Sequence, residues 1–368
     1  MNDRALLGVV LAGGESRRFG RPKGEARVGR LTLVERASRT LRPLCAEVRR
    51  SGPDDLPDLR PGEGPLAGIE SALARAASTG ADGVVVLACD LPAVHTATLV
   101  RLIERWREAA DPRNTVAAPD LPLQPLAAVW GVGMLPAVTA ALDRGERSAR
   151  DAARDLGHFA AIDAERLAGD VGLAAPQLLH NVNTPDDLAP ARDLVLPPIV
   201  TVVGWKDSGK TTVTTALLRA LADRGIRAEA AKHGHGFRFD GEGTDSRRFR
   251  SEGRAPRVVL AGPDEMAVFG GWDERGEPGL GGLVRRWLHD AEVVVAEGWK
   301  AGPWPAIEVR APGRSDAPLH RSDAPDAARF LAVVGEGDDG RPGVPRISRD
   351  SAAIGSTLAD LVERRLLS

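Results

Sequence analysis

The chain has 368 residues, 43% of them apolar, and a formal net charge of −2 with both signs mixed along its length. That length calls for two domains, each able to bury its own core, and no apolar stretch reaches the roughly 18 residues of a membrane span. The even charge balance offers no polybasic surface to nucleic acid or anionic lipid, so neither is expected as a partner.

Two cysteines, Cys45 and Cys89, are too few for a disulfide framework or a zinc knuckle. The opening MNDRALLGVVLAGG has too short an apolar run for an export signal, so a cytoplasmic location is expected. Positive charge is nearly all arginine: of 49 basic residues only Lys23, Lys206, Lys210, Lys232 and Lys300 are lysines. With no tyrosine, few asparagines and abundant Gly, Ala and Pro, this reads as a compositional drift that disfavours lysine. A lysine that survives it marks a place needing a compact point charge, where the planar guanidinium fork does not fit.

In chain order, LLGVVL (6–11) is a continuous apolar run that ends in glycines, the pattern of a strand buried on both faces. It opens into LAGGESRRFGRPK, which has neither the G-x-G-x-x-G spacing of a dinucleotide fold nor a G-K-S/T ending. A loop there that lays glycine backbone along a nucleotide and offers Arg17, Arg18 and Lys23 suits a grip on a triphosphate under attack at its α phosphorus. The plain alternative is a surface loop with solvated arginines. GPLAGIESALARAAS (64–78) carries Leu66, Ile69 and Leu73 at helical spacing, and VVVLACD (84–90) reads as a second buried strand. Asp90 then stands at the carboxyl end of that strand, either where open α/β sheets bind ligands or as a cap for the next helix. Thr96 is the expected cap of a helix through Leu99, Leu102, Ile103 and Trp106, and PLAAVW (125–130) is a further strand. NVNTPDDL holds Asn181 and Asn183, two of only four asparagines, beside a Thr-Pro helix start. DDLAPARDLVLPPIV (186–200), with three prolines, reads as a linker.

The cycle then restarts. IVTVVG (199–204) is a buried strand running into GWKDSGKT (204–211), which matches the phosphate-loop pattern G-x-x-x-x-G-K-S/T, and VTTALLRALADRG (213–225) is the helix after it. Gly204, Ser208, Gly209, Lys210, Thr211 and Thr212 are therefore candidate nucleotide contacts, with Lys210 on the β and γ phosphates and the Thr211 hydroxyl on Mg2+. VVVAEG (293–298) places Glu297 at a strand end as a second metal ligand, with Lys300 just after it; a solvated loop acid is the alternative. KHGHGFRFDGEGTDSRRF (232–249) has a His-x-His spacing, but with no cysteine nearby and glycines on both sides it reads as a nucleotide or partner loop. Residues 311–368 are expected to add only a terminal amphipathic helix. Alternating β and α segments on both sides of the linker predict an α/β chain of two mostly parallel, doubly wound sheets, spanning 1–192 and 199–368.

Taken together, LAGGxSxRxG with its following lysine, GPLAGI, CDLP and NVNTPDDL resemble the molybdenum cofactor guanylyltransferases over residues 6–190. GWKDSGKTT, KHxHxFxxD with TDS after it, and EGWK resemble the MobB-type molybdopterin-guanine dinucleotide biosynthesis adaptors over 199–310. The resemblance implies a Rossmann-like nucleotidyltransferase sheet followed by a P-loop NTPase-like sheet. It implies GTP contacts at Leu11, Ala12, Gly13, Gly14, Lys23, Asp58 and Asp90, with Mg2+ on Asp90 and with Lys23, Asp90 and Arg18 as the catalytic groups. Asn181 and Asn183 would complete the pocket for the pterin. The implied reaction is attack by the phosphate of molybdopterin, the organic part of the molybdenum cofactor, on the α phosphorus of GTP, releasing pyrophosphate. The second half would bind GTP with weak GTPase activity, and transient contacts with molybdenum insertion proteins or apo-molybdoenzymes are implied as well. Phe19 and Pro22 depart from the Met and Asp usual in this loop. Cytidylyl transfer to the same cofactor, another nucleotidyl transfer, and a non-catalytic GTP-binding delivery protein are the competing readings. Gly14, where the cytidylyl relatives carry Ala, and the intact pair Lys23 and Asp90 favour guanylyl transfer.

Overall fold

Two six-stranded sheets follow one another along the chain in the computed structural model, which describes residues 5–12, 19, 22–120, 122–155, 159–234, 240–272, 276–311, 318–319, 329–335 and 344–368. The first half runs β1 (Leu6–Leu11), the small hairpin β2 (Arg27–Val28) and β3 (Leu31–Thr32), α1 (Leu33–Leu41), β4 (Glu47–Ser51), α2 (Pro65–Thr79), β5 (Gly83–Ala88) and α3 (Thr96–Arg107). It continues through β6 (Val116–Asp120), β7 (Ala127–Gly131), α4 (Leu135–Asp143), α5 (Ala149–Asp155), β8 (Phe159–Asp163), α6 (Ala164–Asp170), α7 (Ala175–Leu178) and α8 (Leu188–Leu194). The sheet order is β4-β1-β5-β7-β6-β8.

Every residue of β1 and β5 is buried, as continuous apolar runs covered on both faces require. Both neighbours of β1 are parallel to it, and Leu11 pairs with Ser51 on one side and Ala88 on the other. Three strand ends therefore open at the same level, forming the crevice in which open α/β sheets place ligands. One strand departs from the parallel expectation. β7 is antiparallel to both β5 and β6, because so short a connection from β6 cannot make the crossover of a dozen or more residues that a parallel neighbour needs.

Two local expectations are corrected. The cap of α3 is His95, whose Nδ1 accepts from the Ala97 amide, while the Thr96 hydroxyl donates to the Thr40 carbonyl. The stretch 186–200 is not all linker: Leu188–Leu194 is helical. Pro190 falls in its first turn, where no intrahelical N–H bond is lost.

The second half contains β9 (Ile199–Val203), α9 (Lys210–Asp223), β10 (Ala228–Lys232), α10 (Asp245–Ser251), the hairpin β11 (Arg257–Ala261) and β12 (Met266–Gly270), α11 (Leu280–Trp287) and β13 (Val293–Glu297). After these come β14 (Ala306–Val309), β15 (Phe330–Val334), β16 (Arg346–Ile347) and α12 (Ile354–Val362). Its sheet, β10-β13-β9-β14-β15-β16, is parallel at every pairing. Residues 311–368 thus contribute more than the single helix expected of them. They supply two strands, and α12 packs along α9, where Gly355 lies so close to the Ala216 carbonyl that a Cβ would come within 2.5 Å of it.

The two halves are packed together. A Cβ on Gly172 would meet the Gly282 Cα at 2.7 Å, so backbone lies on backbone there. Arg285 donates to the carbonyls of Val171, Asp193 and Leu194. His95 Nε2 lies 3.3 Å from the Pro197 carbonyl oxygen, and its ring sits 5.4 Å from that of Trp304. Among the described residues no helix is long and apolar enough to cross a membrane.

Candidate functional site

At the crevice of the first sheet, Leu11 ends β1 and its carbonyl accepts from the Cys89 amide, tying the β1 end to the turn after β5. Asp90 is next, and its own carbonyl accepts from the Val182 amide at 2.9 Å. That backbone bond draws the 181–183 segment, distant in sequence, onto the strand end. The result is a three-way contact. Lys23 Nζ donates to Asp90 Oδ2 at 2.8 Å and to Asn183 Oδ1 at 2.9 Å. Lys23 and Asp90 keep 17% and 25% of their side-chain surface, enough for a ligand to reach either.

Asn183 can reach Lys23 because its neighbours do the capping. Asp187 Oδ2 accepts from the Asn183 amide, the Thr184 amide and the Thr184 hydroxyl, and the first two of these bonds hold its carboxyl below the usual range. The helix-start reading of NVNTPDDL holds at Thr184 and Asp187, and it leaves the Asn183 side chain to face Lys23. Asn181 is exposed beside the buried Val182. Asp58 accepts from the Ser51 hydroxyl at the end of β4. It lies at the floor of the crevice, since a Cβ on Gly68 would touch Leu11, Ser51 and Asp58 together. Ala12 is half-buried, whereas Gly13, Gly14, Arg17 and Arg18 lie outside the described residues.

The donor set suits Mg2+. A carboxylate and an amide oxygen already converge on one cation, the Lys23 ammonium, and magnesium is commonly held by one or two carboxylates together with substrate phosphates.

In the second half, Gly204 and Gly209 take φ values of 155° and 87°, which side chains resist. A Cβ on Gly209 would also strike the Arg349 guanidinium at 2.4 Å. α9 starts at Lys210 and runs 14 residues, so its first N–H groups and its dipole face the loop. Ser208 Oγ is buried without a hydrogen-bond partner, an orphan that a phosphate oxygen would satisfy. Lys210 Nζ turns back onto the Trp205 carbonyl at 2.6 Å. Burial lowers its pKa, with Lys232 and Lys300 adding to the effect and Glu297 and Asp207 opposing it. Thr211 and Glu297 do come together, through Lys232: its Nζ is 3.3 Å from Thr211 Oγ1 and 3.1 Å from Glu297 Oε1. A hydroxyl and a carboxylate sharing one cation fit Mg2+ as well. Thr212 is exposed in the first turn of α9.

The 232–249 segment divides. His233 stacks near Trp299, with ring centroids 5.2 Å apart, and its Nε2 is 3.5 Å from Glu277. Asp240 accepts from the Thr244 and Ser246 hydroxyls at the start of α10. His235 lies outside the described residues.

A family model for the MobA-like NTP transferase domain matches residues 8–159, and one for molybdopterin guanine dinucleotide synthesis protein B matches residues 199–336. A relative from Opitutus terrae, named a probable molybdenum cofactor guanylyltransferase, is 39% identical over 158 residues, covering 40% of this chain and 77% of that one. The chain belongs to the molybdenum cofactor guanylyltransferase family. Among solved structures, the molybdopterin-guanine dinucleotide biosynthesis protein A of Archaeoglobus fulgidus is 24% identical, covering 51% of this chain and 97% of its own, with a TM-score of 0.42. Bacillus subtilis MobB is 20% identical, covering 45% of this chain and 97% of its own, with a TM-score of 0.33. Lys23, Asp58 and Asp90 fall inside the guanylyltransferase-like span, and Lys210, Thr211, Lys232 and Glu297 inside the second.

Two features went unread in the sequence. Arg349 against Gly209 carried no signal, since arginine is everywhere in this chain. Lys232 did carry one, its rarity, but its contacts with Thr211 and Glu297 depend on strand register.

Proposed function

We propose that the first half transfers GMP from GTP to molybdopterin, forming molybdopterin guanine dinucleotide and pyrophosphate, while the second half binds GTP as a fused adaptor. The observation that carries this reading is the Lys23 ammonium held between Asp90 and Asn183 at the mouth of the crevice, in a chain whose relatives are named guanylyltransferases.

The terminal phosphate of molybdopterin attacks the α phosphorus of GTP. A new P–O bond forms as the bond to the β phosphate breaks, and pyrophosphate leaves with that electron pair. Nucleophile and leaving group are both phosphate oxyanions, so no general base is needed. The barrier is the approach of one anion to another and the charge that collects on pyrophosphate. Lys23 answers both when it exchanges Asp90 and Asn183 for phosphate oxygens, its point charge fitting between them. Asp58, fixed by Ser51, presents an acceptor to a nucleoside N–H or hydroxyl at the crevice floor. Asp90, with the Asn183 amide oxygen beside it, would hold Mg2+, which would supply neutralisation of phosphate charge. In the second half Thr211 and Glu297 are the corresponding ligands, Lys210 faces the phosphates, and Ser208 gains the partner it lacks.

The test is to incubate the whole chain with Mg2+, molybdenum cofactor and either GTP or CTP, then weigh the product and count pyrophosphate. A guanine dinucleotide with one pyrophosphate per turnover is expected. Faster transfer from CTP would overturn the choice of base, and GTP binding with no pyrophosphate would leave the adaptor reading in its place.

A further inference from the structure

We propose that Lys232 is a built-in counter-cation of the second nucleotide site: without nucleotide, its ammonium occupies the place between Thr211 and Glu297 that a divalent cation takes on loading. The inference rests on the reading of Thr211 and Glu297 as the ligands of that cation.

The placement comes from the sheet. Lys232 and Glu297 are the last residues of β10 and β13 and pair directly in the parallel register, so their side chains leave the same face as close neighbours. Thr211 approaches from the first turn of α9, and the ammonium closes the gap at 3.1 Å and 3.3 Å. Two of the other lysines nearby have their ammonium groups engaged at Trp205. Lys210 donates to the Trp205 carbonyl, and Lys300 lies 4.3 Å over the Trp205 ring. Glu297 is the group that needs a cation. Its side chain keeps only 10% of its surface, and a buried carboxylate left unpaired is costly.

Two cations cannot share one hydroxyl and one carboxylate oxygen at 3 Å. A divalent ion therefore enters only as the ammonium leaves, and Lys232, with 49% of its side chain exposed on a flexible four-carbon stem, is able to swing away. Leaving is unfavourable while it has nowhere to go, and it becomes favourable once phosphate oxygens arrive as new partners. The device couples metal to nucleotide: the ion alone competes poorly, and the ion with nucleotide displaces the lysine onto the phosphates.

The experiment uses the full chain in an Asp90→Ala background, which silences the metal ligand of the first site, with mant-GDP fluorescence as the readout. Lys232→Met keeps the stem and removes the charge. The Mg2+ concentration for half-maximal mant-GDP binding should fall roughly three- to ten-fold, the scale expected when one charge-assisted hydrogen bond no longer competes with the ion. Mg2+ without nucleotide should raise the melting temperature of Lys232→Met and leave that of Lys232→Arg unmoved. A half-saturation that is unchanged or higher in Lys232→Met overturns the proposal. Should Lys232→Met fail to fold, Mn2+ titration of the Asp90→Ala chain followed by electron paramagnetic resonance decides instead. Tight Mn2+ binding without GDP overturns the proposal, and binding that appears only with GDP supports it. An Asp90→Ala chain that binds no mant-GDP at any Mg2+ concentration overturns the reading of the second site itself, an outcome distinct from an unshifted titration.

Discussion

The two crevices share a device and differ in how they hold it. In each, a lysine ammonium bridges two oxygen ligands, Asp90 and Asn183 in the first half, Thr211 and Glu297 in the second. Lys232 and Glu297 are adjacent strand ends, so the second arrangement is preset by sheet register. Lys23 comes from the far side of the glycine loop after β1, and Asn183 from a segment held by the Val182 to Asp90 backbone bond and by the buried Val182 side chain. The first site is therefore assembled from three separate parts of the chain, which suits a site that must take in two substrates. The second is built from two adjacent strand ends and one helix start.

Breaking the shared device at its acid should have the largest effect. Asp90→Ala removes both the Lys23 anchor and the proposed metal ligand, and Mg2+-dependent guanylyl transfer should drop by at least about 10³-fold while the far-ultraviolet dichroism stays native. Lys23→Arg keeps the charge but spreads it over a fork. A fall in kcat of about 10²-fold is expected from steady-state assay, and near-normal turnover would remove the case for a lysine-specific site. Gly209→Ala sharpens the comparison from the other side. The left-handed backbone resists a side chain there, while the Arg349 guanidinium, at the end of a flexible stem, would have to move aside, so mant-GDP affinity should weaken about tenfold with guanylyl transfer untouched. Loss of transfer in this variant would show the two crevices to be coupled.

The smallest expected effect concerns the seam between the halves. Burial pushes the His95 imidazole from 6.5 down to about 4, so between those values the unfolded chain takes up a proton that the folded chain does not. Stability is then lost as pH falls through 6.5, by at most about 1.4 kcal/mol per pH unit. Scanning calorimetry at pH 7.5 and 5.5 should show a melting temperature lower by a few degrees, about 1 kcal/mol, at the acid end. His95→Asn keeps a good helix cap and should lose most of that slope; an undiminished slope would assign it to other groups.

Much of this arrangement was legible in the sequence, for reasons that differ by element. β1 and β9 begin where expected because an unbroken apolar run bounded by glycine has only one easy reading, a strand buried on both faces. The direction of β7 is not encoded in its own residues and follows from the short connection before it. α8 was hidden by Pro190, which breaks helices in their interior and is harmless in their first turn. Lys23, Asp90 and Asn183 were each nominated by type and position. Their convergence was not readable, because it rests on tertiary contacts between segments far apart in the chain, the Val182 to Asp90 backbone bond and the burial of Val182 among them.

The scarcity of lysine has a chemical consequence for the whole molecule. One of the five side-chain amines lies in the first crevice, and the other four lie in or beside the second. An acyl donor, an aldehyde or a glycating sugar that seeks side-chain amines therefore finds few targets besides the two proposed phosphate sites. Arginine carries the positive charge everywhere else. If those are the working surfaces proposed above, adventitious acylation of this chain is chemistry at them, and bound nucleotide would shield them.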